Sequence, residues 1–208
     1  AEQLEGRGVE VVYLPVDRTG LVDVQMLEDS LQTSATLVSV QWVNNETGVI
    51  NPVAEACAIA GEAGWAFHTD AIQAVGKMPV DVRAVPVDFL SLSGHKFHAP
   101  KGVGALYVRE GIRFEPMIRG GGQEDGRRSG TENVPFIIGL GKAAEIMKAE
   151  LERDGHADVR RLHVAAWRLR RGRHVRVHHH AAHRRHAVLR AHLRDQRARR
   201  RPRDGGDG

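Results

Sequence analysis

The sequence predicts an α/β fold, a mostly parallel sheet flanked by helices, followed by a basic tail that is disordered or non-native. Two strand-like runs, Thr36–Val43 and Trp65–Asp70, enclose a helical pattern at Pro52–Ala63. Strand, helix, strand in that order implies a parallel crossover. The tail shows in the charges. Residues 1–150 hold 13 Lys and Arg against 20 Asp and Glu, a net of −7, whereas residues 151–208 hold 17 against 6, a net of +11. The formal charge of +4 for all 208 residues averages two compositions, and the isoelectric point of 9.6 describes the tail. The expected division is a domain over 1–150 and an Arg/His-rich segment over 151–208.

The elements follow in order. The chain begins Ala1-Glu2-Gln3 rather than with methionine, which points to a fragment or a processed chain. Residues 9–14, Val-Glu-Val-Val-Tyr-Leu, read as a strand and Pro15–Gly20 as a loop. Asp23 is an N-cap for a helix through Leu31, with Val24, Leu27, Glu28 and Leu31 at helical spacing. Thr36–Val43 is apolar almost throughout, as expected of a strand buried on both faces, and it delivers Asn44 and Asn45 to its carboxyl end. The next helix turns Val53, Ala56, Cys57 and Ala60 inward, and Gly64 ends it before the strand that closes on Asp70. Further strands are expected at Phe89–Ser93 and Gly102–Val108, a polar loop at Gly120–Asn133, and a helix at Val134–Leu151 carrying Ile137, Ile138, Leu140, Ala144, Ile146 and Met147. A single cysteine excludes an internal disulfide and fits a reducing cytoplasm. No apolar run reaches membrane length, and the reading is of a soluble chain.

The chemistry centres on Lys96, on a short loop between two strands. Ser93 and His95 set a hydroxyl and an imidazole two residues apart, and Gly94 between them is expected to leave backbone N–H groups open, which together make a phosphate seat. A lysine partly desolvated beside such a seat forms a Schiff base with an aldehyde. Lysine and phosphate seat together suggest pyridoxal 5'-phosphate. That cofactor also needs a carboxylate at its pyridine nitrogen. Asp70, at the end of a strand, is placed to supply it, since ligands of open α/β sheets gather at the carboxyl ends of strands.

Four consecutive motifs, Asn44-Asn-Glu-Thr-Gly48, His68-Thr-Asp-Ala-Ile-Gln73, Ser91-Leu-Ser-Gly-His-Lys96 and Gly120-Gly-Gly-Gln-Glu-Asp-Gly-Arg-Arg-Ser-Gly-Thr-Glu-Asn133, follow one another in the order and spacing of cysteine desulfurases. The resemblance covers roughly residues 1–150 and implies part of the large domain of a fold type I, class V aminotransferase-family enzyme dependent on pyridoxal 5'-phosphate. It implies that Lys96 is the Schiff-base lysine, which also moves protons at the substrate's α-carbon, and that Asp70 pairs with the pyridine nitrogen. Asn45 and Gln73 match residues on the phenolic side of the ring, and Ser93 and His95, with Gly94 between them, match the phosphate ligands. Thr131 matches a threonine reaching the neighbouring subunit's phosphate, which implies a homodimer. The implied reaction takes sulfur from L-cysteine as an enzyme persulfide, leaving L-alanine, for iron–sulfur cluster assembly or another sulfur-transfer pathway with an acceptor protein.

The sequence also departs from that pattern. The family's persulfide cysteine lies downstream of the lysine, and here no cysteine follows Lys96. Cys57 reads as a small buried hydrophobe on its helix. The upstream phosphate-binding turn, the ring-stacking histidine, the substrate-gripping arginine and most of the small domain are also missing from the pattern, so the chain alone is expected to lack desulfurase activity. From about residue 159 the run of Arg, His, Ala and Gly is what a GC-rich coding sequence yields when read out of frame. Two other readings of this tail stand beside that one. A basic arm would contact nucleic-acid phosphates, and His174/His178 or His179/His183 would need a helix to share a metal. No metal site is assigned. As whole-chain alternatives, a non-catalytic chain with a nucleic-acid-binding tail belongs to a different class of function, and another class V lyase such as selenocysteine lyase to the same one.

Overall fold

A computed structural model describes residues 1–30, 37–153 and, as backbone, 187–190. Its elements are α1 (Glu2–Glu5), β1 (Glu10–Tyr13), α2 (Val24–Asp29), β2 (Leu37–Gln41), α3 (Val53–Glu62), β3 (Ala66–Asp70), β4 (Phe89–Ser93), β5 (Gly104–Val108), β6 (Gly122–Gln123), β7 (Arg128–Ser129), α4 (Val134–Arg153) and β8 (Ala187–Arg190). The main sheet runs in the order β1-β8-β2-β3-β4-β5, and β6 pairs with β7 as a separate hairpin. Neighbours β2, β3 and β4 are parallel. Because β8 is antiparallel to both β1 and β2, β1 shares their direction, and only β5 and β8 oppose it. The mixed, mostly parallel sheet is the expected α/β class.

One face of this sheet carries the core. Val38 and Val40 of β2, Phe67 of β3 and Leu90 of β4 pack beneath α2 and α3, which contribute Leu27, Val53, Ala56, Cys57 and Ala60. Each fully buried large apolar side chain here contributes about 1.5–3 kcal/mol relative to exposure. Asp23 caps α2 as its position predicts, its carboxylate accepting from the N–H groups of Gln25 and Met26. The helix stops at Asp29, and Leu31 lies outside the described residues.

The expectation that β2 is buried on both faces is met only toward its carboxyl end. Leu37 and Ser39 stay half-covered between buried Val38 and Val40, whereas Gln41 is buried like Val40 and Trp42 beside it. The face of Leu37 and Ser39 carries polar groups in register, Ser39 beside His68 and Gln41 beside Asp70. Asp88 fastens the opposite end of the sheet. Its carboxylate accepts from the Phe67 N–H at 2.7 Å and from the Arg109 guanidinium, so the start of β3 is tied to the end of β5.

Helix α4 forms where its periodicity predicts but buries little of its apolar face. Ala143 is buried and Leu140 and Met147 pack with Phe97 and Ala99, whereas Ile137, Ile138 and Ile146 are exposed. In the tail, where no strand was expected, Ala187–Arg190 enters the sheet between β1 and β2. The rest of the tail, including its histidine pairs and arginine runs, lies outside the described residues. Among the described residues no helix is long and apolar enough to cross a membrane.

Candidate active site

The carboxyl ends of the parallel strands β2, β3 and β4 bring most of the predicted residues to one sheet edge. Asp70 is the last residue of β3 and stands in register between Gln41 of β2 and Ser91 of β4. Its Oδ1 accepts the Ile72 N–H at 3.0 Å, which fixes the carboxylate over the turn that follows. That turn closes through Ala74 and Val75 N–H groups donating to the Ala71 carbonyl, and it lifts Gln73 beside the strand end. The Gln73 Oε1 accepts from the Lys77 Nζ at 2.5 Å. Asn45 lies beyond the end of β2, exposed, with the Gln41 Nε2 3.5 Å from its Oδ1.

Strand β4 leads directly into a single 3-10 turn, Gly94–Phe97. Ser93 Oγ and His95 Nδ1 are 2.9 Å apart, so the two predicted phosphate ligands are already paired. Gly94 holds its place for a reason other than the expected one. Its own N–H is not open but donates to the Val103 carbonyl at 3.0 Å. A Cβ on Gly94 would lie 2.9 Å from Ala99 Cβ, 2.9 Å from Leu140 Cδ1 and 3.1 Å from Val103 Cγ1. Close packing against α4 and the start of β5 excludes any side chain there. Phe97 turns inward and is buried, leaving Lys96 on the outer side of the turn, exposed. Partial desolvation of Lys96 was expected; among the described residues nothing covers it.

Thr131 is set on an exposed segment after the β6–β7 hairpin and takes no part in the cluster at the sheet edge. Cys57 sits in α3 within the core, where burial pushes its thiol pKa up and the nearby Asp88 adds to the effect. A buried thiol held in its protonated form is a poor nucleophile. An apolar cleft between α4 and the turn at 75–81, lined by Val75, Met78, Phe97, Met147 and Leu151, holds none of the predicted site residues.

Two side chains enter the site that no motif reading had assigned. His68 lies two residues before Asp70 on the same face of β3, its Nδ1 2.8 Å from Ser39 Oγ and its Nε2 3.2 Å from Ser91 Oγ. Burial pushes its imidazole pKa down, with Asp70 opposing. Lys77 follows Gln73 by four residues, and burial, then the charge of Lys96, pushes its pKa down. The period of two along a strand was the available signal for His68, and the i, i+4 spacing was the signal for Lys77.

The donor set fits pyridoxal 5'-phosphate. It offers an amine for the aldehyde, a carboxylate for the ring nitrogen, a hydroxyl and an imidazole for the phosphate, and carboxamides for the phenolic oxygen. An α/β sheet with this set at the carboxyl edge of its parallel strands defines a class of pyridoxal-phosphate protein. The chain belongs to the aminotransferase class-V family, whose profile matches residues 1–199. It is 55% identical over 148 residues to a cysteine desulfurase of Gluconacetobacter diazotrophicus, covering 71% of this chain and 37% of that one. It is 52% identical over 149 residues to the cysteine desulfurase IscS of Methanosarcina thermophila, covering 72% and 37%. Among solved structures, a NifS-like protein superposes with a TM-score of 0.69 at 43% identity, over 73% of this chain and 42% of that one. A structure described as SspA in complex with cysteine gives a TM-score of 0.67 at 43% identity, over 69% and 42%. The chain thus spans 37% of the length of these two curated relatives.

Proposed function

We propose that this chain is the cofactor-binding part of a cysteine desulfurase, with residues 1–150 as the working unit. The observation that carries this reading is the meeting of Asp70, Gln73 and the Ser93–Lys96 segment at one sheet edge, in a chain 55% identical to a cysteine desulfurase over the region that builds it. When bound, pyridoxal 5'-phosphate supplies an electron sink that weakens the bonds at a substrate's α-carbon.

The chain's own residues then have distinct tasks. Lys96 Nζ would hold the cofactor through its aldehyde and would be the amine placed to move a proton at a substrate's α-carbon. The Asp70 carboxylate would face the pyridine nitrogen, and its hydrogen bond from the Ile72 N–H keeps it in place. Ser93 and His95, paired with each other at 2.9 Å, would bind the phosphate. Gln73 and Asn45 bind at the phenolic oxygen, and Thr131 serves the partner subunit of a homodimer.

Cysteine is the molecule named with the SspA structure, and L-cysteine is the substrate proposed here, with a sulfur-acceptor protein as the partner. The single, buried Cys57 favours a reducing cytoplasm and is not the sulfur carrier. Little or no turnover of cysteine is expected from the chain alone, since no cysteine follows Lys96 in it.

The test is to add pyridoxal 5'-phosphate to the 208-residue chain and record the visible absorption before and after borohydride reduction. The expected result is a band in the wild type that is lost in Lys96→Ala, with peptide mapping placing the reduced adduct on Lys96. A folded wild-type chain with no band, or an equal band in Lys96→Ala, overturns the reading.

A further inference from the structure

Lys77 stands on the turn that carries Gln73, and two features fix its position. Its N–H donates to the Ala74 carbonyl at 3.0 Å within that turn. The preceding Gly76 has φ +78°, and a Cβ there would lie 2.5 Å from Phe97 Cβ, so the turn is pressed against the segment that bears Lys96. From this place the Lys77 ammonium reaches the Gln73 Oε1 at 2.5 Å. Lys77 and Gln73 are both half-buried, which limits the rotamers open to them.

An ammonium has three donors and no acceptor, whereas a carboxamide has one end of each kind. The oxygen of Gln73 must therefore face Lys77, which turns its NH2 to the other side. A glutamine without such a neighbour flips to suit a hydroxyl or an oxyanion equally well. One whose oxygen is held by a cation presents its donor end away from that cation.

We propose that Lys77 is a positioning residue that locks the Gln73 carboxamide as a hydrogen-bond donor toward the cofactor edge, selecting an anionic phenolic oxygen over a protonated one. The proposal rests on the cofactor reading above. Lys77 does not itself touch the cofactor, and it acts through Gln73.

The experiment has two arms on the 208-residue chain. Without cofactor, the side-chain NH2 resonances of Gln73, assigned by their loss in Gln73→Ala, are compared between wild type, Lys77→Met, Lys77→Leu and Lys77→Arg. The expected result is a shifted Gln73 pair with several-fold faster solvent exchange in the Met and Leu variants, and a wild-type-like pair in Arg, which keeps the donor. With pyridoxal 5'-phosphate added, the Lys96-dependent band of Lys77→Met is expected to shift toward the form with a protonated phenol, and Arg to restore it. Far-ultraviolet circular dichroism on every variant shows that each is folded, and two non-donor variants guard against loss of either one. An unmoved Gln73 pair in a folded Met or Leu variant overturns the proposal, as does a shifted pair with an unchanged band. If the wild type forms no band, the cofactor reading fails by itself, and the resonance arm alone decides whether Lys77 orients Gln73.

Discussion

His68 shows how a single side chain can serve a sheet edge without touching a ligand. Its two ring nitrogens meet Ser39 of β2 and Ser91 of β4, so one imidazole spans three parallel strands below Asp70. Either neutral tautomer is satisfied, because each serine hydroxyl donates or accepts as needed. Burial favours the uncharged ring and lowers its pKa from 6.5, and the Asp70 carboxylate only partly offsets this. The unfolded chain therefore binds a proton at a higher pH than the folded one does. Stability from this residue is fully present above about 6.5, declines as the pH falls below it, and levels off beneath the folded pKa. Urea midpoints measured from neutral to mildly acidic pH are expected to fall in the wild type and to fall less in His68→Gln; equal slopes would remove His68 as the source. The gathering of Asp70, Ser93, His95 and Lys96 near one sheet edge was legible from motif spacing. The work of His68 was not, because it depends on strand register, which periodicity leaves open.

At the scale of elements, the turn after β3 and the turn after β4 behave as one unit. Gly76 is the point of contact, holding a left-handed backbone directly against Phe97. Gly76→Ala meets both the backbone penalty and the clash, and is expected to lower the unfolding free energy by about 1–3 kcal/mol. Chemical denaturation measures this, and a loss of a few tenths or less would mean that the two turns are not tightly packed. The same scale shows what sequence patterns carry. Helix α3 and its four inward residues were legible because amphipathic spacing and a single packed face go together. The partial exposure at the start of β2 was hidden, since the single small polar Ser39 interrupts an apolar run too briefly to mark it. Strand β8 was hidden as well, because a four-residue strand gains its partners only from distant segments, here Glu10–Tyr13 and Leu37–Ser39.

Packing among the described residues is lopsided. The α2/α3 side is packed, while Met117 is 93% exposed, Ile118 and Ile138 are each 66% exposed, and Leu106 of β5 lies open. Scattered apolar residues are normal on a surface, but several on α4 and the 112–118 segment exceed that pattern. Native chain is expected to bind a hydrophobic dye and to self-associate with rising concentration. Met117→Lys combined with Ile138→Lys is expected to reduce both while leaving the circular dichroism unchanged; no change in dye binding would place the sticky surface elsewhere. This exposure was not legible, because the periodicity of Val134–Leu151 states which residues share a face and not whether anything covers it. The crowding around Gly94 bears on how variant libraries of this chain are interpreted. On the proposed reading, a screen for cofactor colour over every substitution would mark Gly94 as strictly as Lys96, one because a Cβ there displaces its neighbours and the other because its amine holds the cofactor. Intolerance inside this motif is thus two signals superimposed, and only a screen that scores soluble abundance apart from cofactor colour separates them.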